Sequence, residues 1–361
     1  MGEGSAWLRK ALSRVDNTHP SPEVAELLLH LGQVESFRGN KEKGVSYIQH
    51  SQEMYQRLSD RRGYAWATGH LAMTTSSGEK TRDTFAESIA ILRQLGTDKD
   101  LAFILWNWGQ YELYLGDRLE SALSLLAESA DLYGKMECYW QALVQVDLGD
   151  VYRRLGQVEQ ARCLIKKGLA VTREVGDLWA FMLTLELLSD LEVNEARNFD
   201  DLHRAEAALL ECLEISSKFG MNYSFRFYVK LGRVARRQQN YLLAFERLQA
   251  AIATVADFES IIGKNVMGIF MASGFGLCLF ELAKIEVNLD RTIQSTTLLG
   301  ILQAQRDAVK FLWNDIEPKE FEFLAAEVRT HMGEEAFQAA WEKGRGMTTK
   351  QSIQYLLGEY E

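Results

Sequence analysis

Apolar residues recur along this chain at helical spacing, in segments that return about every 40 residues. Each segment begins with an apolar helix, passes through a short polar turn, and ends with a second helix and a glycine. The second halves are similar to one another, as a comparison of three of them shows: Ala86–Gly96, Ile165–Gly176 and Leu210–Gly220. A fixed period of this size predicts stacked pairs of helices rather than one compact core.

One small or apolar residue near the end of each first helix sets the register of the repeat. These register residues are spaced by 40, 37, 40, 39, 44 and 44 positions, and they are Gly32, Ala72, Gly109, Gly149, Leu188, Gly232 and Gly276. Twelve positions after three of them stands a second small residue: Gly44, Ala161 and Ala244. Small side chains let two helices approach closely, so we expect each such pair to be in contact.

These spacings predict seven helical hairpins within residues 22–310. Their expected bounds are 22–58, 62–95, 98–134, 138–175, 178–219, 222–257 and 260–310. Only three prolines occur in the 361 residues, and none of them lies between Pro22 and Pro318, so long helices are possible there. The predicted fold class is all-α, a right-handed superhelix of stacked hairpins.

The two ends of the chain differ from the repeats. Residues 1–16 hold one helix that is similar to the second half of a hairpin; it is either a cap or the remainder of a repeat in a longer protein, and we favour the second. The side of this helix that would pack against the rest of a repeat would then be exposed, and such an exposed side permits self-association. Residues 311–361 are expected to form a helical cap, in which Pro318 suits a first turn and Thr348–Gln351 has the spacing of a capping box.

Composition and charge narrow the class of partner. The net charge of −10 disfavours direct binding to nucleic acid. The longest uncharged run, Asn265–Phe280, has 16 residues, which is short for a membrane span, so we expect a buried helix. The first residues lack the pattern of a signal peptide, and four separated cysteines in apolar patterns are interpreted as buried free thiols, so a cytoplasmic protein is expected.

Catalytic and metal-binding patterns are not found in the sequence. The six histidines include no pair three or four residues apart, and the cysteines form no C-x-x-C motif. No phosphate-binding G-x-x-x-x-G-K-[ST] loop occurs either. We therefore expect a non-enzymatic protein with no cofactor and no metal.

The helical register predicts which side chains face a binding groove. In the third hairpin the candidates include Phe103, Trp106, Gln110 and Tyr114, and in the fourth they include Arg153 and Arg154. The candidates of the sixth hairpin are mostly arginine, and they are Arg226, Arg233, Arg236 and Arg237. Arginine binds carboxylate and phosphate well, and aromatic rings anchor peptides.

Each of these groups has a plainer interpretation. The arginines could lie on a solvated helix face, paired with Glu or Asp of neighbouring helices. The aromatic residues could simply pack between helices that are longer than usual. Both interpretations are left open by the sequence.

Two resemblances to known families follow from particular motifs. Leu148–Tyr152 with Ala161, and Tyr228–Gly232 with Ala244, resemble the tetratricopeptide repeat, although that repeat has a nominal period of 34 residues. Leu299–Leu302, followed by Gly333–Phe337 and Ala340–Met347, is similar to the end of bacterial signal-transducing (STAND-type) ATPases. In that family a helical-repeat array follows an ATP-binding switch domain, and some members are transcription activators that sense a small molecule.

These resemblances imply a recognition role for the chain. We expect a ligand- or protein-recognition array, the sensor or interaction arm of a larger ATP-dependent bacterial regulator, with a protein, peptide or small-molecule inducer as partner. ATP hydrolysis and DNA binding are not implied, because the residues for them are lacking. The alternative is a free-standing cytoplasmic adaptor that holds a peptide or partner helix in its concave groove.

Overall fold

The computed structural model describes residues 2–14, 19–37, 40–75, 78–116, 118–218, 224–254, 266–308, 316 and 318–357. It divides into two compact units, Met1–Val171 and Thr172–Glu361, which are described separately. The described residues are helical or lie in short connections, and no strand occurs among them.

The first unit consists of a single helix followed by helical hairpins. Its helices are α1 (Gly2–Leu12), α2 (Pro22–Phe37), α3 (Lys41–Arg57), α4 (Arg61–Thr74), α5 (Glu79–Leu95), α6 (Asp98–Tyr111), α7 (Leu119–Lys135), α8 (Trp140–Arg154) and α9 (Val158–Val175). A π-helical turn over Glu112–Gly116 continues α6. The division between the units falls within α9.

The second unit continues the same pattern and ends in three helices. Its hairpin helices are α10 (Leu178–Glu195), α11 (Phe199–Lys218), α12 (Ser224–Arg237), α13 (Tyr241–Ala253), α14 (Val266–Asn288) and α15 (Thr292–Ala308). The terminal helices are α16 (Pro318–Met332), α17 (Glu334–Arg345) and α18 (Thr349–Leu356). No described helix is long and apolar enough to cross a membrane.

Helix ends follow local sequence chemistry. Asp60 accepts a hydrogen bond from the Gly63 amide at 2.9 Å and begins α4, and Asp177 does the same for α10 from the Ala180 amide at 3.0 Å. The predicted capping box is confirmed, since Thr348 and Gln351 exchange bonds at the start of α18. Pro318 stands in the first turn of α16, also as predicted.

The register glycines hold the two helices of a hairpin close together, as predicted. A Cβ atom on Gly32 would lie 2.8 Å from the Gly44 carbonyl oxygen, which no relaxed structure allows. On Gly232 it would lie 3.3 Å from the carbonyl oxygen of Ala244 and 2.7 Å from Leu248. Any larger side chain at these positions would force the helices apart.

A second contact in the hairpins of the first unit joins a serine to an alanine carbonyl. Each serine lies on a second helix, is fully buried, and donates to the first helix of its own hairpin. The pairs are Ser51 to Ala25 at 2.6 Å, Ser88 to Ala65 at 2.7 Å and Ser129 to Ala102 at 2.7 Å. Each bond satisfies a hydroxyl group that would otherwise be buried without a partner.

The C-terminal segment that resembles the ATPase family forms one helix contact. Gly300 of α15 and Gly344 of α17 lie in the seam, where a Cβ on Gly300 would be 3.2 Å from the Arg345 nitrogen and one on Gly344 would be 2.9 Å from the Ile301 nitrogen. Two segments of this motif, Leu299–Leu302 and Ala340–Met347, therefore supply the glycines that let α15 and α17 touch.

Candidate binding surfaces in the two units

Three of the predicted aromatic and amide residues of α6 converge on one carboxylate of α8. The Trp106 indole N–H donates to Asp147 Oδ2 at 2.5 Å, the Gln110 amide donates to the same oxygen at 2.9 Å, and the Tyr114 hydroxyl donates to Oδ1 at 3.3 Å. Asp147 is buried. These bonds tie the third hairpin to the fourth.

The environment of Asp147 changes its acidity. The pKa of Asp147 is raised to about 6: burial is the main cause and the charge of Asp150 adds to it, while the bonds from Trp106, Gln110 and Tyr114 oppose the shift. Burial and the Asp147 charge together hold the pKa of Tyr114 well above its usual range. The carboxylate is therefore ionised at neutral pH, and the phenol is neutral.

Aromatic rings extend from α4 across α6 to α8. Ring centroids are 5.1 Å apart for Trp66 and Phe103, 6.5 Å for Phe103 and Trp106, and 5.5 Å for Trp106 and Trp140. Trp66, Phe103 and Trp106 are half-buried, and Trp140 is exposed. The predicted residues Phe103 and Trp106 thus belong to a row of rings that is accessible along part of its length.

The two predicted arginines of α8 are held by an acidic residue of their own helix. Arg153 lies 2.7 Å and Arg154 lies 3.2 Å from Asp150, which is buried. Arg154 also donates to the Leu113 carbonyl oxygen at 3.1 Å and lies over the Tyr114 ring at 5.4 Å. Their charges are therefore largely engaged within the unit.

At the start of α12 in the second unit, the cations are matched by acids of α10. Arg226 lies 2.9 Å from Glu186, and Lys230 lies 2.6 Å from both Glu186 and Asp190. Glu186 and Lys230 are buried. This end of α12 fits the plainer interpretation of the basic residues, in which they pair with neighbouring acids.

At the end of α12, several cations share one buried carboxylate of α14. Glu281 forms ion pairs with Arg236, with Arg233 at 3.7 Å and with Lys284 at 4.0 Å. Burial would raise the pKa of Glu281, but Arg236, Arg233 and Lys284 outweigh it, so the pKa is lowered. Arg233 Nε and Glu281 Oε1 have no hydrogen-bond partner among the described residues.

Arg237 binds backbone rather than a carboxylate. It donates to the carbonyl oxygens of Val193 and, at 3.3 Å, of Ala196, at the C-terminal end of α10. Burial lowers the pKa of Arg237, and the charges of Arg233 and Arg236 lower it further. The three arginines therefore repel one another across a small region.

The charge balance at this end of α12 is positive. Among the residues that the structure describes, four cations, Arg233, Arg236, Arg237 and Lys284, are accompanied by two carboxylates, Glu281 and Glu320, the latter 2.8 Å from Lys284. The chain as a whole is acidic, with a net charge of −10. A local excess of guanidinium groups favours the binding of a carboxylate or phosphate.

Sequence reasoning missed the polar residues that stand two positions before the register residue. His70, Asp147, Glu186 and Lys230 all occupy this position and are all buried. Each makes polar contacts with a neighbouring hairpin; His70, for example, bonds to Gln33 at 2.8 Å. The signal was available, since a charged or histidine residue here interrupts an otherwise apolar helix face.

The described residues contain no group of three or more His, Cys, Asp and Glu side chains that could hold a metal ion. The expectation that all cysteines are buried is wrong in part. Cys212 and Cys278 are buried, but Cys138 is half-buried and Cys163 is exposed, because Cys163 lies on the outer face of α9.

Comparison with known proteins supports the fold. No protein-family model and no curated protein matches this sequence. The chain is similar to a solved Rap protein complexed with Competence and Sporulation Factor, with a TM-score of 0.56 and 13% identity over 93% of this chain and 99% of that one. It is also similar to the apo quorum sensor NprR from B. thuringiensis, with a TM-score of 0.50 and 10% identity over 94% and 93%.

Identities this low show a shared fold and carry no residue-level equivalence. The helix order, the close glycine contacts within hairpins and these similarities agree with one another. The chain has the fold of a tetratricopeptide-like array of helical hairpins.

Proposed function

We propose that this chain is a recognition array that binds an acidic peptide or protein segment at the C-terminal end of α12. The observation that carries the proposal is the excess of cations around Glu281. Arg233, Arg236 and Arg237 are the residues that would hold the ligand, and Arg226 would extend the basic surface along the same helix.

An anion would be stabilised here for a physical reason. The guanidinium groups of Arg233 and Arg236 are about four-fifths buried, at 19% and 18% exposure, so their charges are weakly screened. The pKa of Arg237 is lowered, first by burial and then by the charges of Arg233 and Arg236. A bound carboxylate or phosphate would relieve this repulsion.

The first unit contributes a second candidate surface, made of different chemistry. Phe103, Trp106, Gln110 and Tyr114 form its aromatic part, and Arg153 and Arg154 lie at its α8 edge. Aromatic side chains anchor peptides because they bury large area at little entropic cost.

We infer that such an array is the sensor arm of a larger ATP-dependent bacterial signalling or transcription regulator. The support is the C-terminal segment, whose Gly300 and Gly344 make the α15–α17 contact. The alternative, a free-standing adaptor for a peptide, is favoured by one finding. Rap, whose structure is solved with Competence and Sporulation Factor, and NprR, a quorum sensor, match almost the whole of this chain.

The test compares anion-dependent stability in matched variants. Thermal unfolding is followed with and without acetyl-Glu-Glu-amide, and separately inorganic phosphate, for the parent, Arg233→Ala and Arg153→Ala. Arg233→Ala leaves Glu281 paired with Arg236 and Lys284, so the unliganded fold should remain. Arg153→Ala removes an arginine of similar burial in the first unit.

We expect the parent and Arg153→Ala to be stabilised by the acidic dipeptide, because a ligand that binds only the folded state raises its stability. Arg233→Ala should lose that stabilisation. A shift with phosphate alone would identify a phosphate-bearing ligand instead of a peptide. If no anion stabilises the parent, or if Arg153→Ala loses the effect equally, the α12 arginines serve only to hold the fold.

A further inference from the structure

Two tryptophan rings in the first unit stand at an angle to each other and are partly open. The centroids of Trp106 and Trp140 are 5.5 Å apart with 59° between the ring planes, and Phe103 meets Trp106 edge-on at 88°. The core pair Phe85 and Trp108 differs, since these rings stack with only 6° between their planes. Stacked rings cover each other's faces, whereas tilted rings leave faces available to a ligand.

Many aromatic faces in this chain are already covered by a cation of the chain itself. Arg154 lies over Tyr114 at 5.4 Å, and Arg82 lies over Tyr111 at 5.6 Å. In the part of the chain that the structure describes, no lysine or arginine lies over Trp106 or Trp140. Tryptophan is the aromatic residue that attracts cations most strongly, so the rings of Trp106 and Trp140 are able to bind a cation from another molecule.

A negative charge lies at the edge of the Trp106 ring. Asp147 accepts the Trp106 indole N–H at 2.5 Å, and its described partners, Trp106, Gln110 and Tyr114, are all neutral. The adjacent Asp150, in contrast, is paired with Arg153 and Arg154. A carboxylate that accepts an indole N–H pushes electron density into the ring, which strengthens the attraction of the ring face for a cation.

We propose that Trp106 and Trp140 form a binding site for an organic ammonium group, with Asp147 supplying the compensating charge at the indole N–H of Trp106. The ligand class is a compact cation with an apolar surface, such as a lysine or methylated lysine side chain of a partner, or a small quaternary ammonium compound. The site belongs to the first unit and stands whether or not the α12 arginines bind an anion.

The first experiment separates charge from shape. The full chain is titrated with choline and with its neutral carbon analogue 3,3-dimethylbutan-1-ol, and binding is read from tryptophan fluorescence and from thermal stabilisation. We expect choline to bind at least fivefold more tightly than the analogue. Equal binding of the two, or no binding of choline at concentrations up to about 100 mM, overturns the proposal.

Matched variants place the binding at these residues. Trp140 is exposed at 41%, so Trp140→Ala should fold and should lose the preference for choline, whereas Trp7→Ala, which changes a more exposed ring on α1, should keep it. Asp147→Asn preserves the bonds from Trp106 and Gln110 and removes the charge, so we expect a threefold or greater weakening. A preference that survives Trp140→Ala, or that is unchanged in Asp147→Asn, overturns the assignment.

The source of the cation is distinguished by a third comparison. Short peptides that contain lysine, trimethyl-lysine or the neutral norleucine are titrated against the parent chain. Tighter binding of either charged peptide than of choline indicates a protein partner, and tighter binding of choline indicates a small ligand; both results support the site. Binding of the norleucine peptide as tight as that of the charged peptides overturns it.

Discussion

Arg154 on α8 donates to the carbonyl oxygen of Leu113, 3.1 Å away in the π-helical turn that follows α6. Arg237 follows its register residue Gly232 by five positions, just as Arg154 follows Gly149. It donates to the carbonyl oxygen of Val193 at the end of α10. In both units an arginine thus reaches back to the first helix of the preceding hairpin. A cation at a helix C-terminus satisfies carbonyl groups that have no partner within the helix.

This relationship predicts that Arg154 stabilises the junction between hairpins. Arg154→Ala removes the bond to Leu113 and one of the two cations on Asp150, at a side chain that is only 12% exposed. We expect the free energy of unfolding to fall by about 1–3 kcal/mol. Chemical denaturation followed by tryptophan fluorescence measures the change.

The matched control for Arg154 is Arg93, whose ion pair with Glu128 is 2.7 Å long but 54% exposed on the arginine side. Arg93→Ala should change the stability by less than about 1 kcal/mol, because exposed ion pairs contribute little. Equal losses in the two variants would contradict a special role for the carbonyl contact.

The acidity of Asp147 predicts a pH-dependent stability difference. Its pKa is raised from 3.8 to about 6 in the folded protein, so the folded state binds the proton more tightly than the unfolded state does. The stability that this group contributes is therefore fully present below pH 3.8 and is lost as the pH rises to 6. Asp147→Asn has no such group, and its stability relative to the parent should rise over this interval by up to about 3 kcal/mol.

The comparison with the variant is necessary because His70 titrates in the opposite direction. Burial lowers the pKa of His70 to about 3, so its contribution is lost as the pH falls from 6.5 towards 3 and masks the effect of Asp147 in the parent alone. Denaturation of parent and Asp147→Asn at a series of pH values isolates the carboxylate. A stability difference that stays constant between pH 4 and pH 7 would show that Asp147 is not destabilised by its site.

The close approach of α2 and α3 predicts the effect of one added methyl group. In Gly44→Ala the new Cβ would lie 2.8 Å from the Gly32 carbonyl oxygen and against the Ser36 hydroxyl. We expect a loss of about 1–3 kcal/mol, because the helices must separate. Thermal unfolding measures the change.

Gly346 provides the control for this substitution. Its φ is −79°, and an added Cβ would meet nothing closer than 3.4 Å. Gly346→Ala should be neutral or stabilising by about 0.5 kcal/mol, because it restricts the unfolded chain. If Gly44→Ala were equally harmless, the glycine contact would not hold the hairpin.

The sequence predicted the contacts within hairpins well and the contacts between hairpins poorly. Gly32 and Gly44 could be paired from sequence because both lie in one hairpin, 12 residues apart, and only small residues fit between touching helices. Asp147 and Glu281 were missed because their partners on other hairpins lie 33–48 residues away and depend on how successive hairpins stack. A single sequence shows which residues are charged, but it does not show how successive hairpins are aligned.

The candidate sites, too, were predictable from sequence only in part. The arginines of α12 were recognised from their helical stripe, because 3.6-residue periodicity places Arg226, Arg233 and Arg237 on one face. Which of them would be neutralised was not predictable, since Glu186 and Glu281 come from two different neighbouring helices.

Recognition of an anionic group at the end of α12 can be measured on the unmodified chain. Thermal unfolding is measured with acetyl-Glu-Glu-amide and with its neutral analogue acetyl-Gln-Gln-amide, at salt concentrations of about 20 mM and about 500 mM. We expect stabilisation by the acidic dipeptide only, and we expect it to weaken at high salt. Equal effects of the two dipeptides, or no effect of either at low salt, would contradict it.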